Sequence, residues 1–201
     1  MRIVHAGLPL AGFLLASLLL STIGCDILST RDPEPPTTGS STFVPATAPE
    51  LVLVNLKNAV SERNVENYMR CLVDTLSVSR SFQFVPTASA MGRYPAAFQT
   101  WTLQSERTWL SSLLALTPTQ GSASLALDGS FSVIVSDSAV YTAAYALVVQ
   151  HALPGVPETV RGQLQFVLAL DRSSQWSIVR WTDAPIGTDP SWSEWKGRFG
   201  N

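Results

Sequence analysis

The chain has 201 residues, of which 46% are hydrophobic and only 14% are charged, and its formal net charge is −2. This size and composition suit one globular domain. The lysines and arginines are scattered along the chain, which argues against a nucleic-acid binder, because such a protein needs a basic face for the phosphates.

The N-terminal segment, residues 1–24, has the pattern of a bacterial signal peptide. Arg2 supplies the positive start, and Leu8–Leu20 is an apolar core that is too short for a comfortable membrane span. The segment ends in Thr22-Ile23-Gly24-Cys25, which resembles the lipobox of bacterial lipoproteins. Thr22 departs from the pattern of that family, which prefers Leu at this position.

The resemblance implies a lipid anchor at Cys25. In lipoproteins the cysteine thiol receives a diacylglycerol, a peptidase cuts just before the cysteine, and the new amine can be acylated as well, for example with palmitate. Two or more acyl chains hold a protein stably on a membrane, because each buried CH₂ contributes ~0.8 kcal/mol. We therefore expect a lipid-anchored protein of the cell envelope that faces away from the cytoplasm. The alternative is a secreted protein that is cut near Gly24 and keeps a free thiol.

Residues 25–46 are rich in Pro, Ser and Thr and offer almost nothing to bury. This composition predicts a flexible tether that holds the domain off the lipid surface. The globular domain is predicted to span residues 47–201. The second cysteine, Cys71, lies in this domain, where we expect it to behave as a small buried apolar residue.

The predicted domain begins with a helical hairpin. Thr47 and Glu50 have the spacing of a capping box, and Asn64 can cap a second helix. In each helix the apolar residues fall on one face at helical spacing: Val52, Leu56, Ala59 and Val60 in the first, and Tyr68, Met69, Leu72 and Val73 in the second.

A short strand, Ser81–Val85, and a loop, Thr87–Arg93, are predicted to follow. A third helix is then predicted from Pro95 to about Leu116. Its large apolar residues cover more than half of its circumference, so we expect it to be substantially buried. They are Phe98, Trp101, Leu103, Trp109, Leu110, Leu113 and Leu114.

The C-terminal half predicts an antiparallel meander of strands joined by tight turns. The predicted strands are Ser122–Leu127, Ser130–Val135, Ala139–His151, Thr159–Asp171 and Gln175–Thr182. Alternation predicts one buried face and one wetter face. In the last strand it groups Trp176 and Ile178 with Arg180, opposite Ser177, Val179 and Trp181. Gly162 is a candidate bend or bulge.

Three segments resemble bacterial lipoproteins of the NTF2-like (cystatin-like α+β) fold that have no assigned activity. They are Asn55–Val60 with Asn67-Tyr68-Met69, Trp176–Asp183, and Ser191–Lys196. The resemblance covers about Thr47–Phe199. It implies an α+β domain with N-terminal helices packed on a curved antiparallel sheet, followed by a short C-terminal helix. It also implies an apolar cone between helices and sheet, which some members use as an active site and others only for binding or assembly.

Four aromatic residues are candidates for lining this cone: Tyr68, Trp101, Tyr141 and Tyr145. The tyrosines resemble those that point phenols into the pocket of NTF2-like isomerases and dehydratases, and the alternative is that each buried hydroxyl satisfies a backbone partner. Dimers through the open sheet face are frequent among such domains, so a homodimer is an expectation from the family.

The C-terminal segment predicts a short helix, with Asp189 as N-cap and Pro190 as its first residue. Trp192, Trp195 and Phe199 fall on one face. We expect them to form a lid over the core, because each aromatic ring buries a large area. The alternative is an exposed stripe for a partner.

Candidate catalytic chemistry is sparse. His151 is expected at the surface, and no second His or Cys lies at metal-ligand spacing, so neither a metal site nor a cofactor is predicted. Glu106 and Arg107 form either a surface stripe or an ion pair in the cavity. The other carboxylates that could enter the cavity are Asp74, Asp183 and Glu194.

Two hypotheses on function follow, and no catalytic residue is assigned. The first is a non-catalytic accessory domain, tethered to a membrane, that binds a small apolar ligand or a protein. The second is an enzyme of the NTF2-like isomerase, dehydratase or cyclase type that uses one acid or base in the cavity.

Overall fold

The computed structural model describes residues 41–73 and 80–200. The predictions on the signal peptide, Cys25, residues 25–40 and Asp74 lie outside the described residues. Within those two ranges no helix has both the length and the apolar character needed to cross a membrane.

The described residues form an α+β fold, as the sequence predicts. The helices are α1 (Pro49–Ser61), α2 (Val65–Arg70), α3 (Ala88–Arg93), α4 (Pro95–Phe98), α5 (Leu103–Ala115) and α6 (Trp192–Phe199). The strands are β1 (Gln83–Val85), β2 (Ala123–Ile134), β3 (Ser138–Val149), β4 (Thr159–Leu170) and β5 (Trp176–Ala184). They form one sheet in the order β1-β5-β4-β3-β2, in which β1 runs parallel to β5 and the other neighbours are antiparallel.

The helical hairpin forms, although the predicted cap of its first helix is wrong. The N-cap of α1 is Ala48 and makes no side-chain cap, while Pro49 occupies the first turn, where a missing N–H costs nothing. Asn64 caps α2 as predicted, since its Oδ1 accepts from the backbone N–H of Asn67 at 3.0 Å.

The predicted third helix is two helices, because its sequence contains a strong start signal. Thr102 and Ser105 form a reciprocal capping box that begins α5 afresh after α4 has ended at Phe98. Thr87 likewise caps α3, so that Ala88–Arg93 is helical and not part of a loop. The predicted burial of α5 is confirmed, and its fully covered apolar residues are Trp109, Leu110 and Leu113.

The predicted strands Ser122–Leu127 and Ser130–Val135 are one strand, because β2 runs through Asp128 and Gly129 without the turn expected between them. Gly129 pairs with Ala143 of β3. A Cβ at Gly129 would lie 2.1 Å from the Thr142 carbonyl oxygen, so the two strands approach more closely there than a side chain allows. The meander therefore has four long strands.

Strands β3 and β4 each have one buried face and one wetter face, as alternation predicts. On β3 Tyr141, Tyr145 and Leu147 are buried, and on β4 Arg161 and Gln163 of the opposite face are exposed.

The face assignment of β5 is wrong because this strand contains a bulge. Val167 of β4 pairs with Arg180 whereas Leu168 pairs with Ile178, so Val179 is an extra residue. The extra residue shifts the alternation by one. Trp181 is therefore buried on the same side as Trp176 and Ile178, and Arg180 is exposed.

The C-terminal helix α6 docks on the core, which confirms the predicted lid. Trp192, Trp195 and Phe199 are 0%, 1% and 8% exposed. The helix starts later than predicted, with Ser191 and not Asp189 as N-cap. The core that it closes lies between α1, α2 and α5 on one side and the sheet on the other.

Candidate functional site

A buried ion pair joins α5 to α6. The Lys196 Nζ atom donates to the Glu106 Oε1 atom at 2.6 Å, and both side chains are 0% exposed. Removal of two charges from water costs several kcal/mol per ion in real proteins, which is on the order of the stability of a whole domain. The surroundings of the pair must therefore compensate both charges.

Glu106 is compensated by four donors, two on each carboxylate oxygen. Oε1 accepts from Lys196 and from the Trp101 indole N–H at 2.7 Å. Oε2 accepts from the Tyr68 hydroxyl at 2.7 Å and from the Trp109 indole N–H at 2.9 Å. The local sequence explains this convergence, since Trp109 lies one turn beyond Glu106 on α5 and Trp101 just precedes the capping box.

Lys196 is compensated on its other sides by aromatic rings. Its Nζ atom lies 3.5 Å from the ring centroid of Trp181 and 3.7 Å from that of Phe84. These two rings are neighbours because β1 pairs with β5 in a register that places Phe84 beside Trp181. Cation–π attraction is strongest for a desolvated cation over a tryptophan face.

We call this enclosure the aromatic box. The rings of Trp101 and Trp109 complete it, each 5.9 Å from the Lys196 Nζ atom. The residues of the aromatic box are Glu106, Phe84, Trp101, Trp109 and Trp181.

Burial shifts the proton affinities in this enclosure. It lowers the pKa of Lys196 to about 8, against the opposing effect of the Glu106 charge and hydrogen bond. Burial and the neighbouring Glu106 carboxylate raise the pKa of Tyr68 well above its usual value. Tyr68 therefore stays protonated and serves as a donor.

A second buried polar cluster holds the N-terminus of α6. The Asp183 Oδ2 atom accepts from the Ser193 backbone N–H at 2.8 Å and from the Ser193 hydroxyl at 2.5 Å, and Oδ1 accepts from the Tyr145 hydroxyl at 2.8 Å. The Tyr145 oxygen accepts from the Trp192 N–H at 2.6 Å. Since Ser191 makes no side-chain cap, Asp183 supplies the acceptor that the helix start needs.

Burial raises the pKa of Asp183 although Ser193 and Tyr145 hydrogen bonds favour its charged form. It also raises the pKa of Tyr145, and the nearby Asp183 charge adds to this effect.

Tyr145 fits its place because residue 162 is glycine. A Cβ on Gly162 would lie 2.6 Å from the Tyr145 hydroxyl oxygen and 2.6 Å from the Ala184 carbonyl oxygen. Gly162 pairs directly with Tyr145 and lets the phenol lie across β4 toward Asp183. The register shifts of the sheet lie elsewhere, at Ser132 and at Val179.

Three of the four candidate cavity residues donate hydrogen bonds to buried carboxylates. Tyr68 and Trp101 bond Glu106, and Tyr145 bonds Asp183. Tyr141 lies apart from both clusters, with its ring 5.0 Å from that of Phe131. That the four line a ligand cavity stays a prediction.

The two alternatives for Glu106 and Arg107 are divided between these residues, since Glu106 lies in a buried ion pair and Arg107 lies at the surface. Arg107 makes two hydrogen bonds to Glu66 at the surface. Glu194 also stays outside the core, where it bonds Arg93 at 2.8 Å.

His151 is buried, so its predicted surface position is wrong. It is 6% exposed, its Nδ1 accepts from the Leu153 N–H at 3.3 Å, and its Nε2 lies 3.2 Å from the Pro157 carbonyl oxygen. The loop after β3 folds back over the ring, and Trp195 of α6 packs against it at a centroid distance of 6.0 Å. Across residues 41–73 and 80–200 no cluster of metal-ligating side chains is found.

Cys71 is buried as predicted, and burial raises the pKa of its thiol to about 12.

Lys196 is the main residue of the site that the sequence analysis missed. Trp192, Lys196 and Phe199 are spaced i, i+4 and i+7, which places the lysine on the apolar face of α6. A charge on that face predicts a buried partner, and Glu106 occupies the equivalent place beside Trp109 on α5. This spacing is the feature of the sequence that could have indicated the buried ion pair.

A surface cavity of about 390 Å³ lies next to the aromatic box. Phe84 and Trp101 line both spaces, and Trp101 is the partly exposed ring of the box. These two rings thus separate the buried ammonium from a surface cavity.

No protein-family model and no curated protein matches the chain. Among solved structures it is similar to a proposed aromatic ring hydroxylase from Novosphingobium aromaticivorans, with 14% identity and a TM-score of 0.51 over 69% of this chain and 86% of that one.

It is also similar to an NTF2-like superfamily protein from Salmonella enterica, with 14% identity and a TM-score of 0.47 over 68% and 88% of the two chains. A cystatin-like domain of unknown function from Nostoc punctiforme has 10% identity and a TM-score of 0.44 over 68% and 74%. At such identities a likeness shows the fold and not the activity. The chain has an α+β fold with its helices packed on a mostly antiparallel five-stranded sheet, and the solved structures similar to it include NTF2-like and cystatin-like proteins.

Proposed function

We propose that the chain is a membrane-anchored extracytoplasmic lipoprotein whose folded domain binds a ligand or a protein without catalysing a reaction. The observation that carries the non-catalytic part is the complete hydrogen bonding of Glu106, the carboxylate at the centre of the core.

A general acid or base has to exchange a proton with a substrate atom within hydrogen-bond reach. Both oxygens of Glu106 already have two donors, and Lys196 faces one carboxylate and the rings of Phe84 and Trp181. Such saturation suits a group that holds a structure together, because a substrate would have to displace existing bonds before any chemistry began.

The anchor is supported by the sequence. The apolar run Leu8–Leu20 and the lipobox-like Thr22–Cys25 belong to one pattern, which places a cysteine directly after the cleavage point. Residues 26–40 would then separate the lipid from the described domain.

The anchor is tested by mass spectrometry of the mature N-terminus after expression in a bacterium. We expect a chain that starts at Cys25 and carries acyl groups, and that sediments with membranes. The Cys25→Ser variant should retain its leader, or lose it without acylation. A wild-type mature protein that carries no acyl group would exclude the anchor.

One observation favours the enzyme alternative. Asp183 and Tyr145 form a buried carboxyl–phenol pair, and a buried carboxyl with a raised pKa can act as an acid. In that case an isomerase, dehydratase or cyclase reaction would depend on Asp183.

The two functions are distinguished by incubation of the mature protein with a bacterial metabolite extract. A binding domain retains a compound and leaves the composition of the extract unchanged. An enzyme changes that composition with time, and the Asp183→Asn variant abolishes the change. Turnover that depends on Asp183 would overturn the binding proposal.

A further inference from the structure

Strand β2 lies at an open edge of the sheet. Among the residues that the structure describes, it pairs with β3 and with no other strand. An open edge exposes a row of backbone N–H and C=O groups to which a further strand can bind, and natural edge strands commonly prevent this with lysine, proline or bulges. β2 has one bulge, at Ser132, but it contains neither lysine nor proline, and its only charged residue is Asp128. The strand is therefore suited to pair with another strand.

Every second residue of β2 directs its backbone groups away from β3. Ser122, just before the strand, accepts from the Gln150 backbone N–H at 2.9 Å, so these two residues form a hydrogen-bonded pair. In an antiparallel ladder such pairs alternate with pairs whose N–H and C=O groups point away from each other. The outward residues are Ala123, Leu125, Leu127, Gly129 and Phe131. They form a regular edge that ends at the bulge, and Leu127 is its midpoint.

The two ends of this edge carry different features. Past its end, Val133, Ile134 and Val135 are 47%, 54% and 53% exposed and form an apolar tip of the β2–β3 hairpin. At its start, a surface cavity of about 290 Å³ is lined in part by Gln120 and Gly121. Antiparallel pairing of two copies of β2 brings the apolar tip of each copy to the cavity of the other. A second copy is thus the partner that this edge fits, because it supplies both features in reverse order.

Pairing about a two-fold axis at Leu127 uses the whole edge. Leu127 then lies opposite the same residue of the second copy, and Phe131 lies opposite Ala123, so that every outward backbone group of the edge gains a partner. Asp128 lies opposite Ala126, which avoids directly opposed carboxylates. A two-fold axis also closes the assembly as a dimer, because each copy uses the same surface.

We propose that the chain forms a two-fold symmetric homodimer in which the β2 edges of two copies pair antiparallel about Leu127 and join the two five-stranded sheets into one. This inference goes beyond the proposed function, since the pairing needs neither the lipid anchor nor a bound ligand. It also differs from a dimer through the open sheet face, because strand edges and not sheet faces are in contact.

The register is tested by disulfide formation in the mature protein that carries both Ser124→Cys and Ser130→Cys. In the proposed dimer each new cysteine lies opposite the other new cysteine of the second copy, in a pair without mutual hydrogen bonds. The Cα atoms of such a pair are about 4.5 Å apart, which a disulfide can span. We expect mild oxidation in detergent to give about ten-fold more covalent dimer, or better, than in either single variant.

The two single variants are the matched controls, because each carries one of the same changes at an exposed serine. In the proposed register a cysteine at either position lies about 20 Å along the strand from its equivalent in the second copy, so no disulfide forms. Cys71 is buried and present in all three variants. Equal cross-linking of the single and double variants would indicate another register or contact through the sheet face and would overturn the proposal. A cross-link to a different protein, or no cross-link at all, would overturn it as well.

The pairing of the backbone is tested with Leu127→Pro and sedimentation of the mature protein in detergent. Proline at this position removes an outward N–H and no hydrogen bond to β3. Leu127→Ala is the matched control, since it also shortens the side chain but keeps the N–H. Both central hydrogen bonds of the dimer are lost with proline, so its dissociation constant should exceed that of the Ala variant by about ten-fold or more. Equal dissociation constants would contradict pairing through the edge of β2. If Leu127→Pro does not fold, the disulfide result decides alone.

Discussion

At the scale of single residues, the core of this protein depends on charges that are matched atom by atom. Glu106 and Lys196 satisfy each other and are surrounded by indole, phenol and ring-face partners. An apolar pair of similar volume would often be as stable. The ion pair differs from an apolar pair in that both residues must be present and correctly placed, because loss of either partner leaves the other charge buried and unpaired.

The Lys196→Met substitution should lower the free energy of unfolding by about 3–5 kcal/mol, because it leaves Glu106 buried without its counter-ion. Urea denaturation measures this loss. The double variant Glu106→Gln/Lys196→Met should lose less than the sum of the two single variants. The control is Arg93→Met, which breaks a surface pair with Glu194 and should cost about 1 kcal/mol or less. Equal losses at positions 93 and 196 would contradict the assigned role of the buried pair.

The Asp183→Asn substitution should change how stability depends on pH. Burial raises the pKa of Asp183 above its ordinary value of 3.8, so above pH 3.8 the folded protein holds a proton that the unfolded chain has released. This contribution to stability is fully present below pH 3.8 and is lost as the pH rises through the raised pKa. The deficit of the variant should therefore grow as the pH falls toward 3.8.

The measurement is the free energy of unfolding of both proteins across this acid range. At neutral pH the variant should still be less stable by about 1–3 kcal/mol, since one hydrogen bond of the cluster is lost. Tyr145→Phe is the control, because it removes one donor to Asp183 and keeps the carboxyl. A deficit that shrinks toward low pH would refute the raised pKa.

At the scale of elements, short-range sequence patterns predicted most of the helices and strands. The features that were not predicted depend on pairing between residues far apart in the chain. Alternation gave the faces of β3 and β4, and the Asn64 cap gave the start of α2. The bulge at Val179 was not predicted, because it is set by the register of β5 against β4 and has no local signature in the sequence of β5. The Glu106–Lys196 ion pair was not predicted, because its two residues are 90 positions apart in the chain.

Gly162 is the element-scale feature that substitution can test. Gly162→Ala should reduce stability by about 1–3 kcal/mol, because the methyl group meets the Tyr145 hydroxyl and the Ala184 carbonyl at 2.6 Å. Thermal unfolding measures the loss. Gly92→Ala is the matched control, since this helical glycine has nothing within 4 Å of a new Cβ, and the change should stabilise α3 by about 0.5–1 kcal/mol. A neutral Gly162→Ala variant would disprove the close approach of Tyr145.

At the scale of the whole molecule, the N- and C-terminal parts of the domain pair with each other in one sheet and one core. The short strand β1 pairs with β5, and the backbone N–H of Trp176 donates to the Ala46 carbonyl oxygen at 2.7 Å. Sheet and helices therefore share one core, to which α6 contributes Trp192, Trp195 and Lys196.

Removal of α6 should abolish cooperative unfolding of the domain. A chain that ends at Pro190 loses three buried aromatic side chains and the counter-ion of Glu106, and each lost aromatic alone costs about 3–5 kcal/mol. Calorimetry should show no sharp transition for this chain. A chain that ends at Phe199 is the matched truncation and should melt close to the full-length protein. A sharp transition without α6 would contradict a shared core.

The order of the aromatic-box residues along the chain has a consequence for when the core can close. A growing polypeptide that has reached β4 already contains Glu106, Phe84, Trp101 and Trp109, but it contains neither Trp181 nor Lys196. Its carboxylate must stay hydrated until the last two arrive, because the desolvated anion would have no counter-charge. Sealing of the interior is thus confined to a late step of folding, after α6 has been made.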